Sequence, residues 1–231
     1  MATTDIAAKD SPSMSRFYDK IVADAVLTAV SPLVSRVRNA VVDGSSVLEI
    51  GCGGGQFALA LIEQHPGISV TGVDLSAEQV ARATARAKAL PSKDSQRVRF
   101  QMASASDIPF PEGSFESVVS IASIKHWPER DKGINEMVRV LKNGGLLLIA
   151  EVDRGCHLDD ARRFVRDVHL PAPMRLPYLW MFRTYVAGQG LDLDEARTAI
   201  AGQPLVDAAV HRIPGTPFLL MSGAKRDTAT I

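Results

Sequence analysis

The sequence predicts an α/β fold: a doubly wound, mostly parallel sheet covered by helices on both faces. Three observations carry that prediction. Short apolar segments alternate with helical ones from about residue 45 to 152. A glycine run, Gly51-Cys52-Gly53-Gly54-Gly55, stands at the end of the first apolar segment. Two more strand-like segments close the chain on either side of Pro214-Gly215. Parallel strands need helical crossovers, and those crossovers are right-handed, so alternation of this kind restricts the topology to a doubly wound sheet.

Taken in order, residues 1–12 read as a frayed tail. From Tyr18 to about Arg38, apolar residues recur in pairs at a four-residue rhythm, which is an amphipathic helix bent or broken near Pro32. Val47–Ile50 is a buried strand, and Phe57–Gln64 a helix closed by Pro66-Gly67. Ser69–Val73 is the second strand; Ser76–Leu90 is the second helix, with Ser76 as its N-cap and Glu78 in its first turn. Arg97–Met102 and Ser117–Ile121 are the third and fourth strands. Glu129–Leu141 is helical and Asn143-Gly144-Gly145 stops it before a fifth strand, Leu146–Val152.

Beyond Val152 the rhythm loosens. Leu158–Val168 reads as a helix, and Leu170–Pro177, with three prolines, as a rigid loop or segment boundary. Tyr178–Val186 and Leu193–Ala201 read as helices. Val206–Arg212 and Phe218–Ala224, joined through Pro214-Gly215, form an antiparallel hairpin at a sheet edge. The expected organisation is one domain over 1–231. It comprises an N-terminal helical segment (13–40), a ligand-binding core (45–152), a helical cap (153–203) and the hairpin (204–226).

Composition narrows the function. Among 231 residues, 26 basic side chains balance 26 acidic ones, which argues against a protein that neutralises nucleic-acid phosphates. Cys52 and Cys156 are too few for a disulfide scaffold or a four-cysteine zinc site, and a reduced, cytoplasmic setting suits them. No stretch approaches the ~18 uninterrupted apolar residues of a membrane span, and Met1–Pro12 lacks the pattern of a signal peptide. His65, His157, His169 and His211 are scattered without metal-ligand spacing, so no metal is expected.

The glycine run sits between a strand and a helix, where open α/β sheets bind nucleotide-like ligands. A dinucleotide fingerprint G-x-G-x-x-G would need glycine at position 56, which is Gln56. Glu49, two residues before the first glycine, is an acid on a buried strand. A cationic or amino-bearing ligand end accounts for it better than a pyrophosphate does. Asp74 ends the second strand, where an acid accepts from ribose hydroxyls; that marker fits any adenosine ligand.

The segments Val47-Leu48-Glu49-Ile50-Gly51-Cys52-Gly53-Gly54-Gly55 and Gly72-Val73-Asp74-Leu75-Ser76 resemble the class I S-adenosylmethionine-dependent methyltransferases of the small-molecule "type 11" group. So do Ile108-Pro109-Phe110, Ser114-Phe115-Glu116, His126-Trp127 and Leu141-Lys142-Asn143-Gly144-Gly145, in family order. The resemblance implies a Rossmann-like sheet of seven strands with an antiparallel C-terminal strand, and S-adenosyl-L-methionine as cofactor. It further implies that Gly51, Cys52 and Gly53 line the methionine part, with Glu49 orienting the loop or the amino group. Asp74 would hold the ribose and Leu75 pack on the adenine. Family members carry Gly-Asp-Ala where this chain has Ala103-Ser104-Ala105. Adenine recognition is therefore expected to involve Ser104, Ala105, Ser106 and neighbouring backbone, with Ser120 on the fourth strand completing the set.

Methyl transfer is an in-line displacement, so the protein's task is to align the acceptor and exclude water. His126 is the candidate base, the alternative being a loop histidine bonded to backbone. Lys125 reads as a solvated loop lysine, and Arg82, Arg86 and Lys88 as a solvated helix face. Tyr18 either covers the cofactor or packs. The Tyr178–Tyr185 aromatics with Met174 and Met181 form an apolar lid over the acceptor, or else a packed cap or dimer contact. The expected acceptor is a small organic molecule methylated at O, N or C, with the protein a monomer or homodimer away from membranes. A non-catalytic S-adenosylmethionine-fold binding protein and an NAD(P)-dependent oxidoreductase are the competing readings.

Overall fold

The computed structural model describes residues 17–227; the expected N-terminal tail lies outside them. A π-helical turn, Tyr18–Val22, leads into α1 (Ala23–Ala29) and α2 (Ser31–Ala40). The break expected near Pro32 falls at Val30, and Pro32 sits in the first turn of α2, where a missing N–H costs nothing. Then follow β1 (Ser46–Ile50), α3 (Gln56–Gln64), β2 (Ser69–Asp74), α4 (Ala77–Lys88) and, after a single helical turn, β3 (Val98–Met102). Ser76 caps α4, its hydroxyl accepting from the Gln79 amide. The second half contains β4 (Phe115–Ile121), α5 (Arg130–Val140), β5 (Leu141–Val152), α6 (Leu158–Asp167), α7 (Ala172–Met181), α8 (Leu193–Ala201), β6 (Leu205–Arg212) and β7 (Phe218–Lys225).

The seven strands lie in the order β3-β2-β1-β4-β5-β7-β6. Pairs from β3 through β5 are parallel, and β7 is antiparallel to both of its neighbours. The order reverses between β1 and β4, the crevice where doubly wound sheets take their ligands. β5 starts earlier than its apolar run: Leu141 pairs with Phe115, and the Asn143-Gly144 excursion is absorbed as a register shift before Leu146 meets Ser117.

The pleat divides the core in two. Val47, Val70, Val119, Leu148 and Ala150 face α1, α2, α3 and α6, packing with Val26, Leu33, Leu61 and Phe164. Leu48, Ile50, Val118, Leu147 and Ile149 face α5 and α8, packing with Ile134, Met137 and Ile200. The segment after β5 therefore divides across the sheet, with α6 on the α1 side and α8 beside α5. A capping box at Asp192 and Glu195 fixes where α8 begins.

One element departs from expectation. Residues 170–177 are not a rigid loop, because α7 runs through their second half. Pro173 occupies the first turn, where no N–H is needed, and Pro177 leaves the Pro173 carbonyl without a helical donor. Pro173 is exposed, so water can satisfy that carbonyl.

Candidate functional site

The loop after β1 is all glycine but for Cys52, and at Gly51, Gly54 and Gly55 neighbours occupy the space a Cβ would need. Gly51, Gly53 and Gly55 have φ of +73°, +51° and +81°, a left-handed region that costs other residues about 1–2 kcal/mol each. A Cβ on Gly51 would lie 2.0 Å from Ser123 Oγ, and one on Gly55 would lie 2.7 Å from the Phe100 ring. A Cβ on Gly53 would meet nothing within 4 Å, so open space remains over that one residue. Below it a cavity of about 50 Å³ is lined by Tyr18, Val26, Glu49, Cys52, Phe57 and Ile121.

Glu49 is 3% exposed and its Oε2 is buried without a hydrogen-bond partner. Burial pushes its pKa up to about 8, the Ala58 backbone N–H opposes the shift, and the Asp74 charge adds to it. Asp74 is held for work at the strand end: its Oδ2 accepts from the Gly53 amide at 2.9 Å and its Oδ1 from the Ser76 amide at 2.9 Å. Cys52 is buried, and its thiol is pushed up by that burial and by Glu49 and Asp74, so it lines the site as a neutral group.

Next to Asp74, Leu75 is 59% exposed, and Met102, which pairs with Asp74 at the end of the β2–β3 ladder, is 56% exposed; Met102 was not anticipated. Ser104 Oγ accepts from the Ser106 amide at 3.2 Å and lies 3.3 Å from the Ser106 hydroxyl, closing the turn that includes Ala105. Ser120 is buried with its Oγ unpartnered, on the sheet face shared with Ile50, opposite to Glu49.

The loop after β4 departs most from expectation. Lys125 is not solvated: its side chain is 5% exposed and its Nζ lies 2.8 Å from Oε1 of Glu151, which is fully buried. Glu151 also accepts from the backbone amides of Lys125 at 3.1 Å and Val152 at 2.7 Å, while Lys125 Nζ donates to the Ala122 carbonyl. This clamp holds Ala122 at φ +51°, in the left-handed region. It thereby presents Ser123 to Gly51 and to Trp127, whose Nε1 donates to Ser123 Oγ at 3.0 Å. His126 lies in the following 3-10 turn, exposed, with its amide donating to the Ser123 carbonyl.

Arg82 and Arg86 are not a solvated face either. Arg86 donates to both Asp19 carboxylate oxygens and to the Gly54 carbonyl. α7 divides its apolar side chains: Trp180 is 72% and Leu176 76% exposed, while Tyr178 and Leu179 pack on the core. Tyr178 lies near Tyr18, and with Glu151 and Glu49 it helps burial drive the Tyr18 hydroxyl far above its usual range. Neither Lys125 nor Arg86 carried a sequence signal, because the acids that pair with them are 26 and 67 residues away.

A family model described as "Methyltransferase domain" matches residues 48–149, which span β1 through most of β5 and include every element of the glycine site. Over that segment the chain carries a methyltransferase domain of the type 11 group. The methyltransferase GfsG of Streptomyces halstedii is 34% identical over 154 residues, 66% of this chain and 54% of that protein. The 2-methyl-6-phytyl-1,4-hydroquinone methyltransferase of Synechocystis sp. is 30% identical over 178 residues, 77% of this chain and 52% of that protein. The chain thus spans about half the length of these relatives. A solved structure of an S-adenosyl-L-methionine-dependent methyltransferase from Methanococcus maripaludis shares the methyltransferase fold, with a TM-score of 0.68 at 16% identity. That match covers 95% of this chain and 93% of the other.

Two outcomes follow from the geometry. A carboxyl whose pKa is higher folded than unfolded contributes stability that is complete below about 4.5 and lost as pH rises through about 8. The unliganded protein should therefore melt at progressively lower temperature than Glu49→Gln as pH is raised from about 5 to 8; parallel profiles would remove the desolvated charge. Lys125→Met strands a buried carboxylate and should cost about 3–5 kcal/mol in denaturant unfolding. Adding Glu151→Gln, which keeps an acceptor and removes the charge, should recover part of that loss; a double variant no more stable than the single one would contradict the pairing.

Proposed function

We propose that the protein is an S-adenosyl-L-methionine-dependent methyltransferase acting on a small organic acceptor at O, N or C. The observation that carries the reading is the buried, unpartnered Glu49 Oε2 beside a glycine loop that leaves space open at Gly53. A buried carboxylate without a partner is costly, and an ammonium is the group that would satisfy it. Asp74 makes the local potential negative, and Glu49 adds its charge when a cation arrives to pair with it, which suits a ligand carrying an ammonium and a sulfonium and disfavours a pyrophosphate.

In this reading each residue has a task. Glu49 takes the amino group, and Gly51, Cys52 and Gly53 line the methionine part. Asp74, oriented by the Gly53 and Ser76 amides, accepts from the ribose hydroxyls, and Leu75 packs on the adenine with Met102 beside it. Ser104, Ala105 and Ser106 border the adenine edge through their turn, and the Ser120 hydroxyl faces the same end of the sheet. When bound, the cofactor supplies an activated methyl group, and the chain's part is to hold the acceptor in line and keep water out. His126, on the turn after β4, takes the acceptor's proton where there is one to take. The whole chain works as one domain, in the cytoplasm, where its two free cysteines stay reduced.

The decisive experiment is a thermal-shift titration with S-adenosylhomocysteine and with nicotinamide dinucleotides, repeated on Asp74→Ala. A ligand that binds only the folded state raises the melting temperature with dose. The wild type should respond to the adenosyl ligand alone, and Asp74→Ala should need roughly 10- to 100-fold more ligand, as loss of a charge-assisted contact implies. A response to the nicotinamide ligands alone would replace the methyltransferase reading with an oxidoreductase. No response would favour a protein that keeps the fold without the cofactor. On an acceptor found by screening, His126→Ala should lower the transfer rate and leave the S-adenosylhomocysteine affinity unchanged; an unaltered rate removes His126 as the base.

A further inference from the structure

The π-helical turn Tyr18–Val22 lies across the glycine loop; the His169 amide holds its far end through the Ile21 carbonyl at 3.0 Å, and Asp19 holds it to the loop. The Asp19 side chain, 9% exposed, accepts from Arg86 Nη1 at 2.9 Å and Nη2 at 2.5 Å, and from Gln56 Nε2 at 2.5 Å. Arg82 stands 3.9 Å away as a second cation. The same Arg86 Nη1 donates to the Gly54 carbonyl at 2.7 Å. One guanidinium thus joins three parts of the chain: the N-terminal turn, α4 and the loop. Gly54 makes the close approach possible, since a Cβ there would lie 2.2 Å from Arg86 and 2.4 Å from Asp19.

Asp19 adjoins Tyr18, which walls the cavity over Glu49 and Gly53. That cavity of about 50 Å³ has room for a handful of waters, at about 10–15 Å³ each on this measure, and not for an amino-acid-sized ligand end. The cavity is partly open to solvent and Tyr18 forms part of its wall beside Glu49, so a ligand end seated at that carboxylate would press on Tyr18. Single π-turns of this kind are rare and concentrate at functional sites. The Arg86–carboxylate contact is the bidentate type that resists opening, with Asp19 largely buried and Arg86 partly exposed.

We propose that Asp19 and Arg86 are positioning residues of the cofactor site: their ion pair latches the 18–22 turn over Gly51–Gly55, and cofactor exchange waits for it to open. The inference rests on the S-adenosyl reading of the loop and adds how the ligand enters and leaves. A gate acts on both directions of exchange. Weakening the latch raises the open fraction, so association and dissociation accelerate together while affinity changes less. Loss of an ordinary binding contact speeds dissociation alone.

The test is stopped-flow binding of S-adenosylhomocysteine to the wild type, Asp19→Asn and Arg86→Gln, with Lys88→Met as the charge control on the exposed side of α4. Amide hydrogen exchange of residues 18–22 is measured on the same four proteins without ligand. Both latch variants should raise the association and dissociation rate constants together, by about tenfold, the change expected when 1.4 kcal/mol of latch energy is lost. They should also exchange faster at 18–22, and the control should match the wild type. Dissociation that quickens while association holds or slows would overturn the gate and make Asp19 a simple contact. Unchanged rates and unchanged exchange in variants that fold would overturn the latch while leaving the cofactor reading intact. A wild type that binds no S-adenosylhomocysteine would overturn the cofactor reading and the proposed gate with it. Since Asp19→Asn and Arg86→Gln break the pair from opposite sides, either one that folds decides the matter.

Discussion

A main chain stripped of side chains at every position but Cys52, from Gly51 to Gly55, is the constraint on which the ligand end of this sheet is built. Four different neighbours use the vacated volume. Ser123 comes down on Gly51 from the loop after β4, and Arg86 with Asp19 closes on Gly54 from α4 and the N-terminal turn. The Phe100 ring from β3 fills the space beside Gly55 and Gly72, leaving Gly53 with open space. Each approach is within about 3 Å of where a Cβ would stand, so the alternate glycines are needed for packing as much as for their left-handed backbone. The ligand space is the portion of that volume which no side chain claims.

Electrostatics then separates two buried acids that look alike in sequence. Glu151 is fully buried and has a lysine and two backbone amides, so its charge is met and its role is to hold the loop after β4. Glu49 is nearly as buried and has an oxygen that nothing meets, so its proton is hard to remove. The first acid is structural because its partners are already present. The second is poised for a cation from outside, and the price of leaving it unpaired is a charge that the unliganded protein holds only at higher pH. The same reasoning places Cys52 among the neutral lining groups.

The fold was largely legible because its signals are local. Apolar runs, the Ser76 cap, the Pro66-Gly67 break and the Pro214-Gly215 turn each act within a few residues, and their alternation admits one handedness of crossover. The departures occur where a local rule has an exception that burial decides. Leu170–Pro177 looked like a loop because prolines end helices, yet at the exposed start of α7 the missing donors cost little. By sequence the Tyr178–Tyr185 aromatics suit an acceptor lid or else a packed cap or dimer contact; what each packs against divides them, Tyr178 and Phe182 lying on the core and Trp180 facing outward.

By itself the sequence determined the chain's parallel core, the glycine turn with its flanking acids Glu49 and Asp74, and hence the family of ligand the crevice suits. Those features depend on residue type at short spacing, where backbone geometry allows few alternatives. The tertiary structure alone decided which charges are met. Lys125 finds Glu151 across 26 positions and Arg86 finds Asp19 across 67, pairings that strand order and helix packing create and that no local pattern encodes. Tertiary structure also decided that Met102 stands beside Asp74 at the strand ends, since register between β2 and β3 pairs them. Local chemistry specified what kind of site this is, and long-range packing specified how it is held and closed, because desolvation and ion pairing act through space, whatever the separation along the chain.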